Sequence, residues 1–310
     1  MRTLLLTETK MVYKAFGLTI ASELALPELS CISGESEYID IQIVIDCSLS
    51  KKKDLVPYDF VVENQIVTVN MPDAGIFRIE NGDRIILAPN EGADEDLIRL
   101  YVLGTCIGAL LLQRGIYPLH GSAIAIDGKA YAFVGHSGAG KSTLASAFIK
   151  KGYELLSDDV IAVSQSAADP VPLVIPAYPQ QKLWQQSLDA FGLSNDKLRT
   201  IYGRETKFCI PVEADFCSMA LPLAGVFELT KTDLTQVSIC SIPKLARLDI
   251  LFQHTYRQFL VQKLDLTRWH FKRSAALAMD LHMYQLQRPT SGFTAPELVD
   301  LIINTISTGD

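Results

Sequence analysis

A chain of 310 residues, 48% hydrophobic and 20% charged, has the composition of an ordinary globular protein and suits one large domain or two unequal ones. Its net charge of -7 argues against a nucleic-acid surface, which needs clustered Lys and Arg against phosphates, and Lys51-Lys52-Lys53 reads as a short solvated loop. The most apolar stretch, Leu100 to Leu112, is shorter than the ~20 residues that cross a bilayer. No cleavable leader is recognised behind Arg2, and the six cysteines form no C-x-x-C pair. No membrane partner is therefore expected, and reduced thiols point to the cytoplasm.

From Lys14 to Leu87 short runs alternate apolar and polar residues, as in Ile39 to Ile45 and Gln65 to Asn70, with turn clusters at Met71-Pro72-Asp73 and Asn81-Gly82-Asp83. That is strand patterning, and it defines a β-rich N-terminal region, residues 1–93. Asp94 to Arg114 changes to a helical period, opened by Asp94, Glu95 and Asp96, whose charges complement the helix dipole. The second region, 94–310, continues with a hairpin. Ala123 to Ile126 and Ala130 to Val134 flank the turn pair Asp127-Gly128. A helix over Leu144 to Lys151 is capped by Gly152, and a strand over Tyr153 to Leu156 should end at Ser157-Asp158-Asp159. Residues 165–180 read as loop, and Leu277 to Leu286 and Pro296 to Ile306 read as two terminal helices.

Between hairpin and helix lies Gly135-His-Ser-Gly-Ala-Gly-Lys-Ser-Thr143, a complete G-x-x-x-x-G-K-[ST] phosphate loop. Glycines at 135, 138 and 140 permit a sharp turn, so backbone N–H groups from Gly135 through Ser137, Gly138, Ala139 and Gly140 face an anion. Lys141 is expected on the β and γ phosphates, Ser142 on Mg²⁺, and Thr143 on a free N–H of the first helical turn. ATP with Mg²⁺ is the expected ligand. A glycine-rich turn that binds nothing is the weaker alternative, given the strand before and the helix after.

If the helix returns to an adjacent strand, the two acids arrive beside the phosphates. Asp158 is then expected as the general base for an acceptor hydroxyl and Asp159 as a metal ligand, directly or through water. His120 lies just before the hairpin, where a structural and a catalytic role are about equally expected. His136, at a variable loop position, reads as incidental.

The ordered set Leu119-His120-Gly121, Gly135 to Thr143, Lys151-Gly152-Tyr153 and Leu156-Ser157-Asp158-Asp159 resembles the catalytic core of the HPr kinase/phosphorylase family. The resemblance runs from residue 117 to 162. It implies an α/β, P-loop, phosphoenolpyruvate-carboxykinase-like fold and serine kinase activity, with His120, Lys141, Ser142 and Asp158 in the active site. The chain lacks the Glu-x-Arg-Gly-Leu-Gly segment of that family, a departure that counts against HPr as substrate and against phosphorolysis. Flanking segments, Phe16 to Leu29, Tyr178 to Trp184 and Lys207 to Pro211, resemble a branch found with lasso-peptide biosynthesis, which phosphorylates the C-terminal serine of a precursor peptide. Lys182, Arg204 and Lys207 are expected near transferred phosphate or an acidic peptide end. The expected partner is thus a peptide ending in serine, with a homo-oligomer open. A kinase of a small hydroxyl metabolite and a nucleotide-dependent regulatory protein without transfer are the competing readings.

Overall fold

The computed structural model describes residues 6–32, 38–51, 55–165, 170–196, 198–201 and 203–308. Lys52 and Lys53 of the basic run lie outside the described residues. Eight strands come first: β1 (Leu6–Ala15), β2 (Leu18–Leu24), β3 (Ser30–Cys31), β4 (Ile41–Ile45), β5 (Phe60–Glu63), β6 (Ile66–Met71), β7 (Gly75–Glu80) and β8 (Arg84–Pro89). They make one sheet in the order β3-β1-β2-β4-β8-β7-β6-β5, with β4 parallel to β2 and β8 and the other pairings antiparallel. The alternation of apolar and polar residues matches the pleat, burying Val67, Val69, Ile79 and Ile85 on one face.

The apolar helix follows as α1 (Glu95–Tyr101), a π-helical turn (Val102–Cys106) and α2 (Ile107–Gln113). Asp94 caps it, its Oδ1 accepting from the backbone N–H groups of Asp96 at 2.8 Å and Leu97 at 3.2 Å. This helix packs on the first sheet, and their shared core also takes in Val160, Ala162 and Tyr178, so apolar packing continues across residue 93.

The remaining elements are β9 (Tyr117–Ile126), β10 (Lys129–Val134), α3 (Lys141–Lys150), β11 (Glu154–Ser164), β12 (Leu173–Ile175), β13 (Gln180–Trp184), α4 (Gln185–Phe191), β14 (Arg199–Ile201), β15 (Arg204–Pro211), β16 (Leu221–Thr232), β17 (Ser238–Ser241), α5 (Lys244–Gln253), α6 (Phe259–Lys263), α7 (Thr267–Asp280), β18 (His282–Pro289) and α8 (Ala295–Thr308). The second sheet runs β10-β9-β11-β12-β16-β18-β17, and β16 also pairs with β10, so five of its strands close on themselves. One core joins this sheet to α3 and α8; another joins it to α5 and α7. A separate three-stranded sheet runs β13-β15-β14, and Gln181 on β13 accepts a hydrogen bond from Ser146 of α3 at 2.8 Å. The protein is therefore a mixed α/β fold.

Three local expectations change. Strand β11 does not end at Leu156 but continues to Ser164, carrying both acids within it. It is not adjacent to β10, because β9 lies between and pairs antiparallel with each. And the segment from Leu277 splits, with α7 ending at Asp280 and β18 starting at His282. Short aliphatic runs fit either period, and here parallel pairing with β16 plus antiparallel pairing with β17 decides for strand.

Candidate active site

The phosphate loop leaves β10 beside β16, so closely that a Cβ on Gly135 (φ 146°) would lie 2.5 Å from the Leu229 carbonyl oxygen. Only glycine accepts both that angle and that approach. Gly138 and Gly140 also have positive φ, and Gly140 caps α3 without a side chain, so the first N–H groups of the helix keep no cap partner. The loop thus has the tight turns and the uncapped helix N-terminus that the motif predicts.

Lys141 is buried, its Nζ donating to the carbonyls of Gly135 at 2.7 Å and His136 at 3.1 Å. An ammonium has three N–H donors, which leaves one for a ligand. Burial lowers its pKa, Asp158 and Asp159 oppose that, and Lys207 adds to the lowering. Thr143 departs from expectation: its hydroxyl meets Ser187 of α4 at 2.8 Å and so ties the loop helix to its neighbour.

In a regular strand, successive side chains point to opposite faces. Asp158 and Asp159 nevertheless both line one cavity of about 1110 Å³ with the phosphate loop. The left-handed φ of 79° at Asp159 breaks the alternation between them, and a register shift against β9 lies just upstream, between Leu155 and Ser157. Strained backbone of this kind concentrates at functional sites.

The acids are held differently. Asp158 Oδ1 accepts from Ser142 Oγ at 2.8 Å and Ser122 Oγ at 2.6 Å, while Oδ2 accepts the backbone N–H of Lys182 at 2.9 Å. With both oxygens engaged and only 5% exposure, Asp158 does not fit the free proton acceptor expected of it. Its Oδ1 instead lies against the hydroxyl of the phosphate-loop serine, Ser142. Asp159 Oδ2 pairs with Lys182 Nζ at 2.8 Å, and Oδ1 stands 3.5 Å from His120 Nδ1. Burial would raise the Asp159 pKa, but the Lys182 ammonium beside it outweighs burial and holds the carboxyl well below its usual range. Its expected role as metal ligand has no such support, since its partners here are a lysine and a histidine.

His120, on β9 opposite Val160, brings its Nδ1 within 3.0 Å of the Asp159 carbonyl oxygen. A carbonyl only accepts, so Nδ1 carries the proton and Nε2 of the neutral ring is left as acceptor. Burial lowers the His120 pKa, against the pull of Asp159, which favours that neutral form.

Of the three cations expected near substrate, Lys182 is the counterion of Asp159, and Asp159 and Tyr178 raise its pKa well above the usual value against burial. Lys207 lines the same cavity, with Nζ 5.5 Å from the Trp184 ring centroid. Arg204 begins β15, but its side chain lies outside the described residues. The sheet bearing these residues is anchored by Arg199, which, like Arg99, pairs with both Glu28 and Asp96.

Two features escaped the sequence reading. Arg288 Nε donates to the Ala139 carbonyl at 2.8 Å, bracing the phosphate loop from β18. Glu228, paired with Val134 across β10 and β16, accepts from Gln285 at 3.0 Å and lies 3.2 Å from His254 Nε2, whose ring is edge-on to His136. His136 itself stays exposed, with that one ring contact. No local spacing marks either feature, because sheet pairing assembles them.

With this geometry in view, comparison with known proteins gives a partial match. The chain is similar to HPr kinase/phosphorylases. It is 34% identical over 108 residues to the HPr kinase/phosphorylase of Bordetella pertussis, which covers 35% of this chain and 31% of the relative. It is 31% identical over 136 residues to that of Bordetella avium, covering 38% and 42%. The match thus spans about a third to two fifths of the length of these curated relatives. An Hpr(Ser) kinase/phosphatase structure from Coxiella burnetii aligns with a TM-score of 0.35 at 14% identity, over 62% of this chain and 91% of that one. No protein-family model matches. Among the described residues no helix is long and apolar enough to cross a membrane.

Proposed function

We propose that this protein is an ATP-dependent kinase that transfers the γ-phosphoryl group to a serine hydroxyl at the C-terminus of a peptide, as in the lasso-peptide branch that the flanking segments resemble. The observation that carries the reading is the pair of consecutive acids, one hydrogen-bonded to the phosphate-loop serine and the other facing the same cavity between His120 and Lys182.

The donor set fits Mg²⁺. Ser142 and Asp158 present hard oxygens side by side, and Mg²⁺ takes one or two carboxylates plus phosphate oxygens instead of a cage of protein ligands. Among the described residues no group of three His, Cys, Asp or Glu forms such a cage. Bound there, Mg²⁺ would neutralise charge on the β and γ phosphoryl oxygens.

The residues divide the remaining work. The glycine-rich backbone and the spare Lys141 N–H hold the phosphates, and Asp159 receives the acceptor proton. The bond from the γ-phosphorus to the β–γ bridging oxygen breaks, a bond to the serine oxygen forms, and ADP leaves with the bridging oxygen. A carboxylate held ionised by Lys182 is a weak base, which suffices where the transition state is loose and positioning dominates. The HPr kinase/phosphorylase similarity supports kinase activity, and the missing Glu-x-Arg-Gly-Leu-Gly segment favours an acceptor other than HPr.

The test is mass spectrometry of a serine-terminated peptide after incubation with ATP and Mg²⁺. A gain of one phosphate on the terminal residue is expected. ATP binding with no phosphorylated peptide would instead support a nucleotide-dependent regulatory protein, and transfer only to small hydroxyl compounds would support a metabolite kinase.

A further inference from the structure

The cavity that holds Asp159 and the phosphate loop is also lined by a group from the apolar helix, Leu97, Leu100, Tyr101 and Thr105, together with Arg257, whose neighbour Tyr256 stands beside His120. Arg257 is the cation of that group. Its Nη2 donates to Thr105 Oγ1 at 2.6 Å, and its guanidinium lies 5.5 Å from the centroid of the Tyr256 ring. Its Nε is buried and meets no acceptor, and among the described residues no carboxylate lies within ion-pair distance of it. Asp73, which lines the same cavity, is engaged by the Tyr58 hydroxyl at 3.2 Å. A buried N–H without a partner calls for an explanation, because native structures leave few of them.

The backbone is arranged to put this guanidinium there. Arg257 has a left-handed φ of 52°, uncommon for a residue with a side chain. The preceding Tyr256 packs against the helix at Gly104 and Gly108, where added Cβ atoms would lie 3.0 Å from its hydroxyl oxygen and 2.6 Å from its ring. Thr105, the hydrogen-bond partner of Arg257, sits in the π-helical turn, and such turns are frequent at functional sites. On its other side the Tyr256 ring is 5.6 Å from that of His120, which contacts Asp159. One residue therefore connects the proton acceptor to the unpaired cation.

We propose that Arg257 binds a carboxylate carried by the phosphate acceptor, so that the acceptor is a molecule with both a hydroxyl for Asp159 and a free carboxylate for Arg257. A single guanidinium among apolar and aromatic side chains, with Asp73 nearby, suits one negative charge and disfavours a dianion such as phosphate. A peptide ending in serine carries both groups on its last residue; so does free serine. The inference rests on the phosphotransfer reading and narrows its substrate.

The test compares three acceptors with ATP and Mg²⁺: a serine-terminated peptide with a free carboxylate, the same peptide as its C-terminal carboxamide, and L-serine. The free acid is expected to exceed the carboxamide in kcat/KM by roughly 10- to 100-fold, the range of a hydrogen bond between charged groups. Arg257→Gln should bring that ratio close to one through KM, and Arg257→Lys should restore part of it. Preference for L-serine over either peptide would support the carboxylate site with a small acceptor. Equal use of acid and carboxamide by the unaltered protein overturns the assignment while leaving phosphotransfer intact, and needs no variant to fold. If ATP binds but none of the three is phosphorylated, the phosphotransfer reading fails, and the assignment fails with it.

Discussion

Replacing Lys182 with methionine tests whether Asp159 is held as a buried ion pair. The two charged groups are 2.8 Å apart, and their side chains are 11% and 26% exposed. At an effective dielectric near 20, two unit charges about 4 Å apart attract by about 4 kcal/mol. Removing one partner of a buried pair typically costs ~3–5 kcal/mol because the other charge is left uncompensated. Lys182→Met should therefore lose about 3 kcal/mol, Asp159→Asn a similar amount, and the double variant less than their sum, giving a coupling energy of about 2–4 kcal/mol. Urea unfolding at pH 7 with unchanged m-values measures all four corners of the cycle. The pH dependence has a definite sign. Asp159 titrates below its unfolded value, so its contribution is present above about pH 4 and fades as pH falls through the folded pKa. Lys182 titrates above its unfolded value, so its contribution is present below about pH 10 and fades as pH rises through the folded pKa. In Lys182→Met, burial loses its main opponent and acid destabilisation should begin at higher pH. Single variants losing less than about 0.5 kcal/mol, with additive effects, would refute the buried-pair argument, since that is the behaviour of exposed pairs.

Gly135→Ala should abolish measurable ATP binding by calorimetry while leaving the far-ultraviolet spectrum native, because its Cβ would press on the Leu229 carbonyl at 2.5 Å. Arg288→Met removes the brace on the Ala139 carbonyl and should weaken nucleotide affinity by roughly tenfold, as expected for a lost hydrogen bond from a charged donor. His270 is fully buried in a network with Thr255, Ser274 and Tyr117, and burial lowers its pKa from 6.5 to about 4. Its neutral form is favoured on folding, so stability should fall by ~3 kcal/mol as pH drops from 6.5 to 4, and His270→Gln should flatten that slope in acid urea titrations.

The parts of this fold that the sequence made legible are those encoded locally. The hairpin turn at Asp127-Gly128, the Asp94 cap, the alternation of the first sheet and the phosphate loop each rest on neighbours within a few residues. What escaped depends on partners far along the chain. Whether Leu281 to Leu286 is helix or strand is decided by β16, over fifty residues earlier in the register of Gly225 with His282. The different surroundings of Asp158 and Asp159 could not be read from two adjacent letters, because they follow from a left-handed residue at 159 and a lysine on another sheet. Lys182 was expected near transferred phosphate or an acidic peptide end, and the partner it has here is a protein carboxylate. Arg257 drew no attention, since nothing nearby in sequence marks the fit of its neighbour Tyr256 against Gly104 and Gly108.

Under the proposed function, two consecutive acids serve opposite ends of one reaction. Single-turnover transfer from ATP to a serine-terminated peptide, with nucleotide affinity measured across Mg²⁺ concentrations, tests it for Asp158→Asn and Asp159→Asn side by side. The account predicts that Asp158→Asn loses the Mg²⁺-dependent part of ATP affinity, whereas Asp159→Asn binds Mg²⁺ and ATP normally but transfers at least about a hundredfold more slowly, the usual contribution of a positioned base. The reverse pattern, with normal metal-dependent binding in Asp158→Asn and its loss in Asp159→Asn, would contradict it.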